Sequence, residues 1–167
     1  MAASDRPGGL TALALFNLAF AIGELFEGIG RLVQRYNTLR FIDGTLPRWH
    51  LHGGNRGPFG SGLPGEERFQ LFAELGPDTL LFLAILSLAA ALLLALSVRG
   101  LLKSRRQMGR WMATIGAVLM ISAALLTVYW FPEELLQESG LALVRGLFYP
   151  LLLMAMVHIT FRRDLVR

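Results

Sequence analysis

Apolar residues along the chain gather into four long runs, parted by stretches that are polar or rich in glycine. Residues 79–98 and 111–131 contain no charged side chain, and residues 141–161 carry only Arg145 and His158. A helix of about 20 residues crosses a hydrocarbon core of ~30 Å, so each of these runs is long enough to span a membrane. The first run, from Leu10 to about Phe26, is interrupted by Asn17 and Glu24 and continues as an amphipathic pattern to about Tyr36. Its helix is placed over 10–35. The pattern predicts an all-α fold: an integral-membrane four-helix bundle, one domain over 1–167, with a long extramembrane segment between helices 1 and 2. A cleaved signal peptide competes for the first run, because Arg6 precedes it and Ala19-Phe20-Ala21 has the small-x-small form of a cleavage site. A retained helix is the expectation adopted.

The segment over 36–78 is the one sizeable polar part. Its middle, 53–65, is dense in glycine and proline and is expected to be irregular. Upstream, 38–42 and 48–52 flank Asp43-Gly44 and could form a short hairpin, although Pro47 interrupts it. Downstream, 66–75 reads as an amphipathic helix that lays Phe69, Phe72 and Leu75 on the bundle or the membrane interface.

Charge sets the expected orientation. Of the 16 basic residues all but Lys103 are arginine, and they flank apolar runs instead of forming a stripe along a soluble face, which argues against nucleic-acid binding. Arg99, Lys103, Arg105, Arg106 and Arg110 fill the connection between spans 2 and 3, and Arg162, Arg163 and Arg167 follow span 4. The turn between spans 3 and 4 holds only Glu133, Glu134 and Glu138. Both termini are therefore expected in the cytoplasm of a bacterial cell, with the chain in its inner membrane. The arginines dispersed through the 36–78 segment oppose this, but long loops translocate largely regardless of charge. Trp111 and Tyr129-Trp130-Phe131 bracket the third span as interfacial anchors.

Candidate chemistry begins on helix 1. At 100° per residue Asn17, Glu24 and Arg31 share one stripe, with Glu27 beside it, while Leu15, Ile22, Phe26, Ile29 and Val33 form an apolar opposite side. Ionisable groups in a bilayer face protein or a water-filled cavity, so this stripe is expected to point inward. Glu24 and Glu27 are placed in the outer part of the span, at the depth of Arg145. An ion-paired cluster of Glu24, Glu27 and Arg145 is expected, joined by Tyr149 from the Arg145 face. Its plainer alternative is a structural network in which Arg31 serves as the i, i+4 partner of Glu27.

Small residues mark expected packing faces: Ala84, Ser87, Ala91 and Ala95 on helix 2, and Gly109, Ala113, Gly116, Ala123 and Thr127 on helix 3. Such faces let helices approach closely in lipid, so spans 2 and 3 should form a tight antiparallel hairpin. Gly23, Gly28 and Gly30 lighten part of helix 1, and Pro150 should kink helix 4. His158 lies far from Glu24 in depth and is expected to be a hydrogen-bonded interfacial histidine. His50 and His52 are weak metal candidates, since two ligands make no zinc site. No cysteine is present, which removes thiolate metal sites, iron–sulfur clusters and cysteine nucleophiles. No catalytic constellation, metal or cofactor is assigned. The expected partners are the lipid bilayer and other membrane subunits or further copies of the chain. The leading functional expectation is a non-catalytic accessory subunit that assembles with or stabilises a larger inner-membrane complex. A transporter or channel component with a polar intramembrane site comes second, and a membrane enzyme acting on a lipid or quinone third.

Overall fold

The computed structural model describes residues 8–47, 65–103, 106–131 and 140–160. The described residues are all-helical: α1 Gly8–Ile42, α2 Gly65–Leu75, α3 Pro77–Leu102, α4 Met112–Trp130 and α5 Gly140–Ala155. Two wider π-helical turns adjoin them, Arg106–Trp111 before α4 and Met156–Thr160 after α5. Three helical stretches, Gly8–Ile42, Pro77–Leu102 and Gly109–Trp130, are long and apolar enough to cross a membrane, which marks the chain as a membrane protein. The fourth, α5 with its π turn, is shorter and also apolar over Gly146–Ile159.

A 3.5-residue rhythm explains the packing. On α1 the buried positions Leu10, Ala14, Asn17, Ala21, Glu24, Gly28 and Arg31 advance by alternating fours and threes, and Thr38 follows one heptad later. On α3 Leu80, Leu83, Ser87, Ala90, Leu94, Ser97 and Leu101 do the same. That period holds one seam of each helix against its neighbour along its length, as in a coiled coil. The helices alternate in direction: α3 runs opposite to α1, with Asn17 at Ser97 and Arg31 at Leu83. α4 runs back along α3, and a Cβ on Gly109 would lie 2.9 Å from the Gly100 carbonyl carbon. A Cβ on Gly116 would lie 3.1 Å from the Leu94 side chain. α5 returns along α4, its Gly146 against Ala124. Leu10, Leu13, Ala90, Leu94, Ala117, Met120, Leu153 and Val157 fill the shared apolar core.

The tight hairpin of spans 2 and 3 is present, but the small stripe on helix 2 is only partly a packing face. Ala84, Ser87 and Ala91 are buried, whereas Ala95 is exposed. A step of four from Ala91 overshoots the 3.5-residue seam, which passes through Leu94 and Ser97 instead. Ala84 is close to α1: a Cβ on Gly28 would come within 3.2 Å of the Ala84 carbonyl. Gly109, Ala113, Gly116 and Ala123 are all buried as expected of them. Pro150 is carried within α5, also buried.

Residues 38–42 form no hairpin strand. They complete α1, whose Thr38 is fully buried in the seam. Asp43-Gly44 ends the helix: Gly44 N–H donates to Phe41 O at 3.0 Å and Thr45 N–H to Arg40 O at 2.8 Å. This is the Schellman pattern, with Gly44 at φ 66°, a conformation that a side chain disfavours. The same dipeptide suits a hairpin turn or a helix stop, and the buried seam upstream decides for the stop. At 35 residues α1 is about 52 Å long and outreaches the bilayer. Its last turns are covered by α2, where Phe41 stacks on Phe69 at 5.8 Å. Phe72 of α2 is buried with Leu80 and meets Phe131 edge-on at 6.0 Å. The amphipathic helix thus packs on the bundle, as one of its two expected positions. His50, His52, the tract 53–64, the acidic turn 133–138 and the arginines after 161 lie outside the described residues.

Candidate functional site

The polar stripe of α1 faces inward. Asn17 is fully buried, Glu24 is 4% exposed and Arg31 8%, while Phe26 on the opposite side is 70% exposed. Leu15, Ile22, Ile29 and Val33 join Phe26 on the outer surface. The helix thus places its costly groups against protein and its apolar groups where acyl chains or a partner can meet them.

The stripe forms layers set by helix rise. Trp111 and Trp130 stand 19 residues apart along one continuous helical rod, about 28 Å, which matches a hydrocarbon core. The Arg31 layer meets Thr127, less than one turn from Trp130. The Asn17 layer meets Ser97 near the other end. Glu24 is seven residues from each and so lies about 10 Å from both, at mid-depth. The sequence places Glu24 in the outer part of its span. Along the bundle axis it stands midway between the two layers, because α1 continues well past Arg31 to Ile42.

The Trp111-end layer is a hydrogen-bond chain across three helices. The Tyr149 hydroxyl on α5 donates to Asn17 Oδ1, Asn17 Nδ2 donates to Ser97 Oγ at 2.7 Å, and Ser97 Oγ donates to Leu94 O at 2.6 Å. The Tyr149 ring lies flat on Phe20, centroids 3.5 Å apart. Each member donates one bond onward, an arrangement in which neighbouring bonds polarise one another. The sequence groups Tyr149 with the carboxylates; its hydroxyl proton goes to Asn17.

The Trp130-end layer centres on Arg31. Its Nη2 donates to Glu27 Oε1 at 2.6 Å and to Thr127 Oγ1 at 3.2 Å, and Nη1 to Leu83 O at 3.3 Å. Thr127 Oγ1 in turn donates to Ala123 O at 2.7 Å. One guanidinium thereby ties α1 to α3 and α4, and the i, i+4 pairing of Glu27 with Arg31 is present. Further along α1, Arg35 Nη2 reaches Asp78 Oδ1 at 3.4 Å on the surface. Arg145 sits on α5 one helical turn before Tyr149, toward the mid-depth of the bundle. Its side chain lies outside the described ones.

Sequence reasoning missed a third polar group. Where the two π turns meet, Arg110 Nη2 and Nε donate to His158 Nδ1 at 2.8 and 3.3 Å. Thr114 Oγ1 lies 2.9 Å from His158 Nε2 and donates to Arg110 O at 2.8 Å. Arginine only donates, so Nδ1 accepts and the ring proton belongs on Nε2, pointing at Thr114. His158 is thus an interfacial histidine with both nitrogens bonded. Its partners could have been suspected from Arg110 and Thr114 lying one turn apart at the same end of the neighbouring span. π turns interrupt the regular ladder and persist where other contacts hold them, here a latch joining α4 to the end of α5.

No group of three or more potential metal ligands is found among the described residues. No protein-family model, curated protein or solved structure matches the chain.

Proposed function

We propose that the chain is a small, non-catalytic integral-membrane subunit that assembles with or stabilises a larger complex of a bacterial inner membrane. In this reading α5 and its π turn are the fourth span, both termini are cytoplasmic, and α2 lies outside. The carrying observation is how the interior polar groups are used. Asn17, Ser97, Tyr149, Arg31, Thr127, Arg110 and His158 are committed to bonds between helices. Such bonds fix register and hold a bundle, and they leave the broad apolar outer face of α1 as a surface for other membrane helices. Extraction in a mild detergent followed by identification of copurifying chains tests this. Stoichiometric, unrelated subunits are the expected result, and a monodisperse assembly of this chain alone would overturn it.

A second reading, a transporter or channel component, is favoured by Glu24 alone, an acid buried at mid-depth where ionisable groups are functional by default. In that reading Arg145 supplies its counter-charge. Proteoliposomes separate the two: ion or proton flux lost in Glu24→Gln supports the second, and no flux above empty vesicles supports the first.

A further inference from the structure

Hydroxyls inside apolar helices normally bond back to their own backbone. Thr38, Thr79, Thr114 and Thr127 each donate to the carbonyl four residues earlier, and Ser97 to the one three earlier. Ser87 breaks this rule. It is fully buried, and its Oγ has no hydrogen-bond partner among the described residues. The cause is visible one turn away. Its natural acceptor is Leu83 O, which already receives the Ser87 N–H in the helical ladder and Arg31 Nη1 from the side. A carbonyl oxygen has two lone pairs, and both are taken.

The position of Ser87 limits what else it can meet. It shares the α3 seam with Leu83, which faces Arg31, and Ser97, which faces Asn17. The Leu83 carbonyl takes both the Ser87 N–H and Arg31 Nη1, so Ser87 lies one turn from the Arg31 guanidinium and from the Glu27 carboxylate paired with it. A buried hydroxyl, a guanidinium and a carboxylate on one short stretch supply the two to four polar partners that hold a buried water.

We infer that Ser87 marks a water-binding site in the α1–α3–α4 interior, where one water bridges its hydroxyl to the Glu27–Arg31 pair. The site needs no partner chain and stands apart from the subunit reading. The test uses the full-length protein in detergent. Ser87→Ala opens no cavity, so a dry, orphaned hydroxyl would leave the melting temperature unchanged or raised, and that result overturns the proposal. A water bridge predicts a fall of about 2–4 °C, the shift for one hydrogen bond in a domain of this size. Hydroxyl-radical footprinting with millisecond X-ray pulses supplies the second readout. Leu83, beside the bridging water, is expected to oxidise in the wild type, while the equally buried Leu94 stays unmodified. An unmodified Leu83 overturns the proposal even if Ser87→Ala melts lower. A melting temperature that falls when sodium is replaced by N-methylglucamine would overturn it too, by assigning the position to a cation.

Discussion

Asn17 spends both ends of its amide on other helices, one on α5 and one on α3. Asn17→Leu removes the acceptor of Tyr149 and the donor to Ser97 together. The expected loss is about 1–2 kcal/mol, since interhelical bonds in membranes average roughly 0.6 and reach about 1.7 kcal/mol each. Tyr149→Phe should cost less, because it removes one bond and keeps the stack on Phe20. Adding Tyr149→Phe to Asn17→Leu should cost almost nothing further, and thermal melts of the four proteins read this coupling directly. At Arg31 the asymmetry is electrostatic: Arg31→Met leaves Glu27 without its guanidinium, so it should destabilise more than Arg31→Met combined with Glu27→Gln. Equal melting temperatures for the single and double variants would contradict the pairing. The inward stripe was legible in the sequence because 100° per residue puts Asn17, Glu24 and Arg31 on one side, and the Glu27–Arg31 pair because it spans one turn. The Tyr149 partner was not. Its choice is set by how α5 lies against α1, a matter of backbone approach between segments 132 positions apart.

At the scale of elements, the α3–α4 hairpin depends on two backbones meeting at Gly100 and Gly109. Gly109→Val must push them apart, because its Cβ would sit 2.9 Å from a backbone carbon that cannot rotate away. Gly30 is the control: a Cβ there meets nothing within 4 Å, so Gly30→Ala should be neutral or add up to about 1 kcal/mol through helix propensity. Melting both variants beside the wild type checks the contrast, which a comparable loss at Gly30 would refute. The existence of these helices followed from apolar run length, and the small faces of helix 3 from composition. Ala95 and the stretch 38–42 were misread for one reason. Both depend on where a 3.5-residue seam runs, and that seam is defined by the neighbour it packs against. The π turns left no mark in the hydropathy pattern, since one extra residue in a turn changes no residue type.

For the whole molecule, the latch at the junction of the π turns adds a polar contact to the apolar packing of Val157 that holds the end of α5 to α4. His158→Ala should lower the melting temperature by a few degrees and expose the amides of 156–160 to hydrogen exchange first, leaving α1 and α3 protected. Exchange that rises uniformly would mean that the latch is not a local closure. The membrane character of the chain was legible from its apolar runs, whereas a job for it was not, because bonds between helices are what the interior polar groups of any membrane bundle make.

The excess length of α1 carries a mechanical consequence. A single unbroken rod runs from the capped end, where Phe41 packs on Phe69 and Arg35 reaches Asp78, past Arg31 and Glu24, the buried charges among the described residues, to Asn17. With no proline along it, that rod transmits twist instead of absorbing it. A rotation imposed at the Phe41 end would therefore be carried along the helix toward Arg31, Glu24 and Asn17, which couples the tip covered by α2 to the polar layers of the interior.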